Sequence, residues 1–166
     1  MDGRAIKFIK YLDGSEKRFI IPVYQRNYSW KRENCKQLYD DLVKLAKNNG
    51  NMHFFGSLVS VYNGASEEFL IIDGQQRVTT ISLLLLAIHN ILKEKKLTAE
   101  DNTLIDKVYK KYLVDEYDTT KKRIKLKSIN KDREAFEKLF DEEPSEYIPN
   151  SHITINYRYF YERILM

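Results

Sequence analysis

Leu70-Ile71-Ile72-Asp73-Gly74-Gln75-Gln76-Arg77-Val78-Thr79-Thr80 is where the chain passes from one periodicity to another. The apolar run up to Ile72 is short, as a strand requires, and Asp73-Gly74 stops it. From about Gln76 to Lys95 apolar residues recur at helical spacing. Val78, Ile81, Leu84, Leu85, Ile88 and Leu92 mark one face. Leu83, Leu86 and Ala87 make the other faces apolar too, and a helix apolar nearly all round is buried. This helix is the expected centre of the fold.

The neighbouring segments arrange themselves around it. Phe54 to Tyr62 and Glu68 to Ile72 read as strands, and Asn63-Gly64-Ala65-Ser66 between them is turn chemistry, so a β-hairpin is expected. Upstream, Ala5, Phe8, Ile9 and Leu12 suggest two helical turns ended by Asp13-Gly14. Arg18 to Ile21 reads as a strand stopped at Pro22. Ser29 occupies an N-cap position for a helix that turns Cys35, Leu38, Tyr39, Leu42 and Ala46 inward and stops at Asn48-Asn49-Gly50. Downstream, the pattern predicts a helix over Ala99 to Leu113, a half-buried strand over Arg123 to Lys127 and a short helix over Asp132 to Phe140. A last helix begins near Ile155. Its aromatic stretch Tyr157 to Tyr161 meets Met166 without a cap, so the expectation is one domain over 1–166 that is the N-terminal part of a longer protein.

Composition narrows the class. A chain of 166 residues fits about one domain and buries enough surface to need no staples. A hydrophobic share of 43% with 13% aromatics excludes a disordered chain. Cys35 is the sole cysteine, which excludes an internal disulfide and a cysteine-based zinc cluster and suggests a core thiol. The run Leu83 to Ile88 is far short of the roughly 18 apolar residues of a membrane span, and Met1-Asp2-Gly3-Arg4 lacks the pattern of a secretory signal. A cytoplasmic protein without a membrane partner is expected. The net charge of +4 does not by itself imply nucleic acid.

Two segments carry chemistry. In Ile21 to Trp30, the polar trio Gln25, Arg26 and Asn27 stands between aromatic residues ahead of a helix, and the planar donor fork of Arg26 suits phosphate or carboxylate. A plainer alternative has Tyr24, Tyr28 and Trp30 packing the domain while Arg26 meets an acidic neighbour. In the second segment, the free amides of a helix start make an anion site, and Gly74 lets the backbone approach a ligand. There Arg77 suits a phosphate, Thr79 and Thr80 add hydroxyls, and Asp73 suits a divalent metal or a water. The plainer alternative is that Asp73 caps the helix and Arg77 neutralises it. Against that, polar groups crowd the edge of the most apolar segment, where each buried unpaired group costs about 1–3 kcal/mol, so a partner is expected.

Other chemistries lack their motifs. There is no Walker loop, no paired-histidine zinc motif around His53, His89 or His152, and no nucleophile elbow. The basic run Lys121, Lys122, Arg123, Lys125, Lys127 reads either as a solvated strand edge or as a stripe for nucleic-acid phosphates.

Ile-Pro-x-Tyr-Gln-Arg-x-Tyr-x-Trp at 21–30, His-Phe-Phe-Gly-Ser at 53–57 and Ile-Asp-Gly-Gln-Gln-Arg-Val-Thr-Thr at 72–80 stand in one order. Together they resemble the N-terminal domain of GmrSD-type, modification-dependent restriction proteins, and the resemblance covers nearly the whole chain. It implies an α+β, ParB/sulfiredoxin-like fold, a small mixed sheet with a buried central helix and additional helices. It further implies binding and hydrolysis of a nucleoside triphosphate, for which Mg²⁺ at Asp73 is the expected metal on the residue reading above, and a C-terminal HNH-type nuclease domain in the full protein that cuts modified or foreign DNA. Carried over, Gln25, Arg26, Asp73, Gly74, Gln75, Gln76 and Arg77 line the nucleotide site, while Tyr24 and Gln25 serve recognition of modified DNA in some members.

The leading expectation is therefore an NTP-binding and NTP-hydrolysing regulatory domain of a DNA restriction or phage-defence protein. In it Asp73, Gln76 and Arg77 act on the reaction, Asp73 holding the metal or the water and Gln76 orienting that water. Gln25, Arg26, Gly74, Gln75, Arg77 and Thr79 hold the nucleotide. The alternatives are a DNA-binding module using Tyr24, Gln25 and the 121–127 run without catalysis of its own, and a ParB-like nuclease. Cleavage by these residues alone is not expected, because only Asp73 stands out as a metal ligand.

Overall fold

The computed structural model describes residues 3–48, 52–65, 67–117, 124–128, 131–140 and 143–166. A short helix α1 (Phe8–Leu12) leads into strand β1 (Arg18–Ile21), and helix α2 (Arg32–Lys47) follows. The hairpin β2 (Val59–Asn63) and β3 (Glu68–Asp73) feeds directly into α3 (Gln75–Lys93). Then come α4 (Leu104–Asp106), which runs on as a π-helix over Lys107–Leu113, strand β4 (Leu126–Ser128), α5 (Asp132–Lys138) and α6 (His152–Leu165).

The sheet order is β2-β3-β1-β4. β1 lies parallel to both β3 and β4, and β2 pairs antiparallel with β3. This is an α+β domain with a small mixed sheet. Alternation along β1 sends Phe19 and Ile21 into the core, where Ile71 of β3 and Leu126 of β4 join them. The helix expected at the centre is there: from Val78 to Ala87 every residue of α3 is buried, and α6 and the π-helix pack against it. Burial of each such leucine is worth about 1.5–3 kcal/mol, so α3 is the main apolar anchor of the fold.

Several boundaries depart from the sequence reading for identifiable reasons. Ser29 does not cap α2, because its amide donates to the Gln76 side chain; Lys31 stands at the cap and its amide donates to Asn34 Oδ1 (2.9 Å). The strand expected from Phe54 starts only at Val59, after Gly56 turns the backbone to φ 97°. The helix expected from Ala99 starts at Leu104, since the Asp101 carboxylate takes the Thr103 amide (2.9 Å) and holds a turn there.

The strand expected over Arg123 to Lys127 is Leu126–Ser128, with Ile124 bridged to Val114. Lys125 departs from the half-buried pattern altogether. It is 1% exposed, and its ammonium donates to the carbonyls of Leu12 (3.2 Å), Gly14 (2.5 Å) and Lys111. Three donors meet three acceptors, which compensates for the desolvation of the charge. Cys35 is buried as expected, and burial pushes its thiol up to about 11, so it behaves as a small apolar residue.

Candidate functional site

Because β1, β3 and β4 are parallel, their carboxyl ends share one edge of the sheet, where ligands of such sheets are commonly received. At the end of β3, Gly74 is the N-cap of α3 in the left-handed region (φ 95°). A Cβ on Gly74 would displace the tip of the Leu58 side chain, and the positive φ is what requires glycine. No side chain caps this helix, and its first backbone bond is Val78 N–H to Gly74 O (3.1 Å). The amides of 75, 76 and 77 meet no acceptor among the described residues. The positive end of a 19-residue helix is left open.

The loop after β1 is tied to this helix by the protein's own polar groups. Gln76 Oε1 accepts the amides of Ser29 (2.8 Å) and Trp30 (3.3 Å), and its Nε2 donates to Asn27 O (3.2 Å). Tyr28 is buried, its hydroxyl bonded to Thr80 Oγ1 (2.7 Å) and Asn156 Nδ2 (3.0 Å), and burial drives its phenol far above the ordinary range. Asn156 also donates to Trp30 O (2.8 Å), and Gln25 Nε2 to Ile72 O (2.8 Å). With its base so fixed, the loop holds Val23, Tyr24 and Arg26 outward, Tyr24 at 67% exposure.

Between the loop, α3, β4 and α5 lies a slit with room for about one water, and Arg26, Gln75, Thr79, Ser128 and Asp132 line it above Tyr28. Gln75 and Thr79 are only 9% and 4% exposed, yet neither side chain meets a hydrogen-bond partner among the described residues. Arg26, exposed beside them, makes no ion pair there either. Asp132 Oδ2 accepts the Tyr28 amide (2.5 Å), and burial raises its carboxyl from the usual value. Neither Gln75 nor Thr79 has a polar atom shut off from solvent without a partner, so these side chains border the slit with donors and acceptors still open to a ligand.

Arg77 is not part of this group. It donates to Ser57 O, lies against Gly56, where an added Cβ would meet its Nη1 at 2.8 Å, and stands 3.7 Å from Asp73. Helix geometry gives the reason: 75 and 79 are one turn apart on one face, whereas 75 and 77 are about 200° apart. Arg26 and Arg77, both expected to hold the nucleotide, therefore stand at two separate positions, Arg26 lining the slit and Arg77 against the 56–57 backbone.

The remaining expected residues divide likewise. Asp73 is largely exposed on the Arg77 side and does not line the slit, so it does not fit as the magnesium ligand of a phosphate held there. Among the described residues no group of three or more His, Cys, Asp or Glu could hold a metal ion. Gln76 is committed to the loop and is not placed to orient water. Lys121, Lys122 and Arg123 lie outside the described residues. Lys125 is turned inward and is no part of a phosphate-facing stripe, and Lys127 is half-buried. Sequence reading missed Ser128 and Asp132, which sit far along the chain from the two motifs. The only hint was Asp132 as the first residue of an expected helix.

A family model described as GmrSD restriction endonuclease, N-terminal domain, matches residues 8–165. No curated protein matches the chain.

Proposed function

The chain belongs to the family of GmrSD restriction endonuclease N-terminal domains, which makes it part of a DNA-restriction protein, and we propose that its own task there is to bind and hydrolyse a nucleoside triphosphate. The observation that carries this reading is the convergence of Arg26, Gln75 and Thr79, whose side chains meet no hydrogen-bond or ion-pair partner among the described residues, near the uncapped start of α3. An anion there meets backbone amides, the helix dipole and a guanidinium that needs no displacement from a carboxylate. The slit is too narrow for a nucleotide, so the phosphates sit at its mouth beside Arg26 and the base lies outside, toward the exposed loop. Gln25, Gln76 and Gly74 shape the site, and Arg77 steadies the 56–58 backbone next to it.

Calorimetric titration with ATP, GTP, CTP and UTP in the presence of Mg²⁺ tests the proposal. Saturable heat with at least one of them is expected; no heat with any of them overturns it.

The exposed pair Val23 and Tyr24 on the same loop supports a second reading, contact with DNA. It gains nothing from Lys125, whose charge is spent inside the domain. Binding to duplex DNA that weakens by about one log unit per log of salt for each phosphate contact would favour it.

A further inference from the structure

The slit holds a carboxylate that neither sequence motif contains. Resting on the nucleotide reading above, we propose that Asp132 is the general base of the hydrolysis, taking a proton from a water seated in the slit while Arg26 and the α3 amides hold the terminal phosphate at its mouth. The space accepts about one water, and a water so enclosed needs two to four polar partners. Gln75 and Thr79 from α3, Ser128 from the end of β4 and Asp132 from the start of α5 offer them.

Asp132 is the one carboxylate among the described residues that line the slit, and the Tyr28 amide fixes its orientation. Asp73, the acid that the sequence singles out, does not line the slit and stands beside Arg77 instead. Burial raises the Asp132 carboxyl from its usual value, the direction a base requires, while the Tyr28 amide and then the charge of His152 at the start of α6 act in the opposite direction. Arg26 is the other charged group that lines the slit among the described residues. In the step, the water oxygen bonds to the terminal phosphorus as the bond from phosphorus to the bridging oxygen breaks. The proton goes to Asp132, and nucleoside diphosphate and orthophosphate leave.

The experiment measures phosphate release and nucleotide affinity in the whole chain for the wild type, Asp132→Asn and Asp132→Glu, with thermal melts alongside. Asn keeps an oxygen for the Tyr28 amide. The expected result is affinity within about threefold of wild type and release slowed by 10²-fold or more, as loss of a general base produces. Glu, a carboxylate displaced by one methylene, keeps a measurable part of the rate, and serves if the Asn variant does not fold. Full turnover in Asp132→Asn, or equal loss of binding and turnover in both variants, overturns the assignment while nucleotide binding by the wild type stands. Wild-type protein that binds nucleotide but releases no phosphate overturns it as well. Wild-type protein that binds no nucleotide removes the function proposed above and this step with it.

Discussion

Gln75 and Arg77 leave the first turn of α3 on opposite sides. Gln75 is buried in the slit beside Thr79, while the Arg77 guanidinium donates to Ser57 O and covers Gly56. Two residues so close in sequence thus belong to different surroundings, one lining the slit and one against the 56–57 backbone. Their substitution should separate ligand binding from loop architecture.

Arg26→Ala is expected to weaken nucleotide binding about tenfold or more, since a hydrogen bond to a charged group is worth roughly 1.5–3 kcal/mol. It should leave the melting temperature unchanged, because Arg26 is exposed and bonds to no described residue. Arg77→Ala should do the reverse, losing about 1–2 kcal/mol of stability with the Ser57 contact while affinity changes less than threefold. Calorimetry and urea melts of both variants check this. Equal effects on binding would place the two arginines in one site.

Gly74→Ala should be destabilising. An L-residue at φ 95° carries backbone strain of about 1–2 kcal/mol, and its Cβ would collide with Leu58 Cδ2, which lies just ahead of β2. A fall in melting temperature of about 3–8 °C is expected for a domain of this size, measured by circular dichroism. Gly64→Ala is the control, since an added Cβ there meets only Tyr62 Cε1 at 3.5 Å.

What the amino-acid order revealed follows from how far each interaction reaches. The α3 helix was legible because Val78 to Leu92 repeats an apolar pattern within one element, and so was the hairpin from Asn63-Gly64. The strand–glycine–helix junction was legible because Gly74 has a local conformational reason to be there. Lys125 was not: its alternation with Ile124 and Leu126 reads as exposure, and only the distant carbonyls of Leu12, Gly14 and Lys111 make burial tolerable. Asp132 escaped notice for the same reason, since its partner Tyr28 is 104 positions away. Arg77 misled through adjacency, because neighbours along a helix do not share a face.

Gln76→Ala tests the clamp on the loop after β1. The variant strands the Ser29 and Trp30 amides and the Asn27 carbonyl, all bonded to this one side chain. Some of these groups regain water, so a loss of roughly 2–4 kcal/mol is expected in urea unfolding. Hydrogen exchange should quicken at residues 29 and 30 while the α3 interior stays protected. Exchange that rises evenly over the whole chain would show that the amide holds no particular loop.

Lys125 predicts a pH dependence whose sign can be worked out. Burial lowers its ammonium to about 8, against roughly 10.4 for an unfolded lysine. Between these values the unfolded chain holds more protons than the folded one, so this residue makes stability rise with pH above about 8 and contributes nothing below it. Tyr28 and Tyr157, both raised by burial, act oppositely once unfolded tyrosine ionises near pH 10, so the informative window is about pH 8 to 9.5. Urea unfolding over that window should show a rising component in wild type that Lys125→Met lacks. The variant should also be less stable at pH 7, because Leu12, Gly14 and Lys111 keep carbonyls without their donor. If both proteins follow the same slope, the Lys125 ammonium keeps its proton through that window, held by the three carbonyls around it.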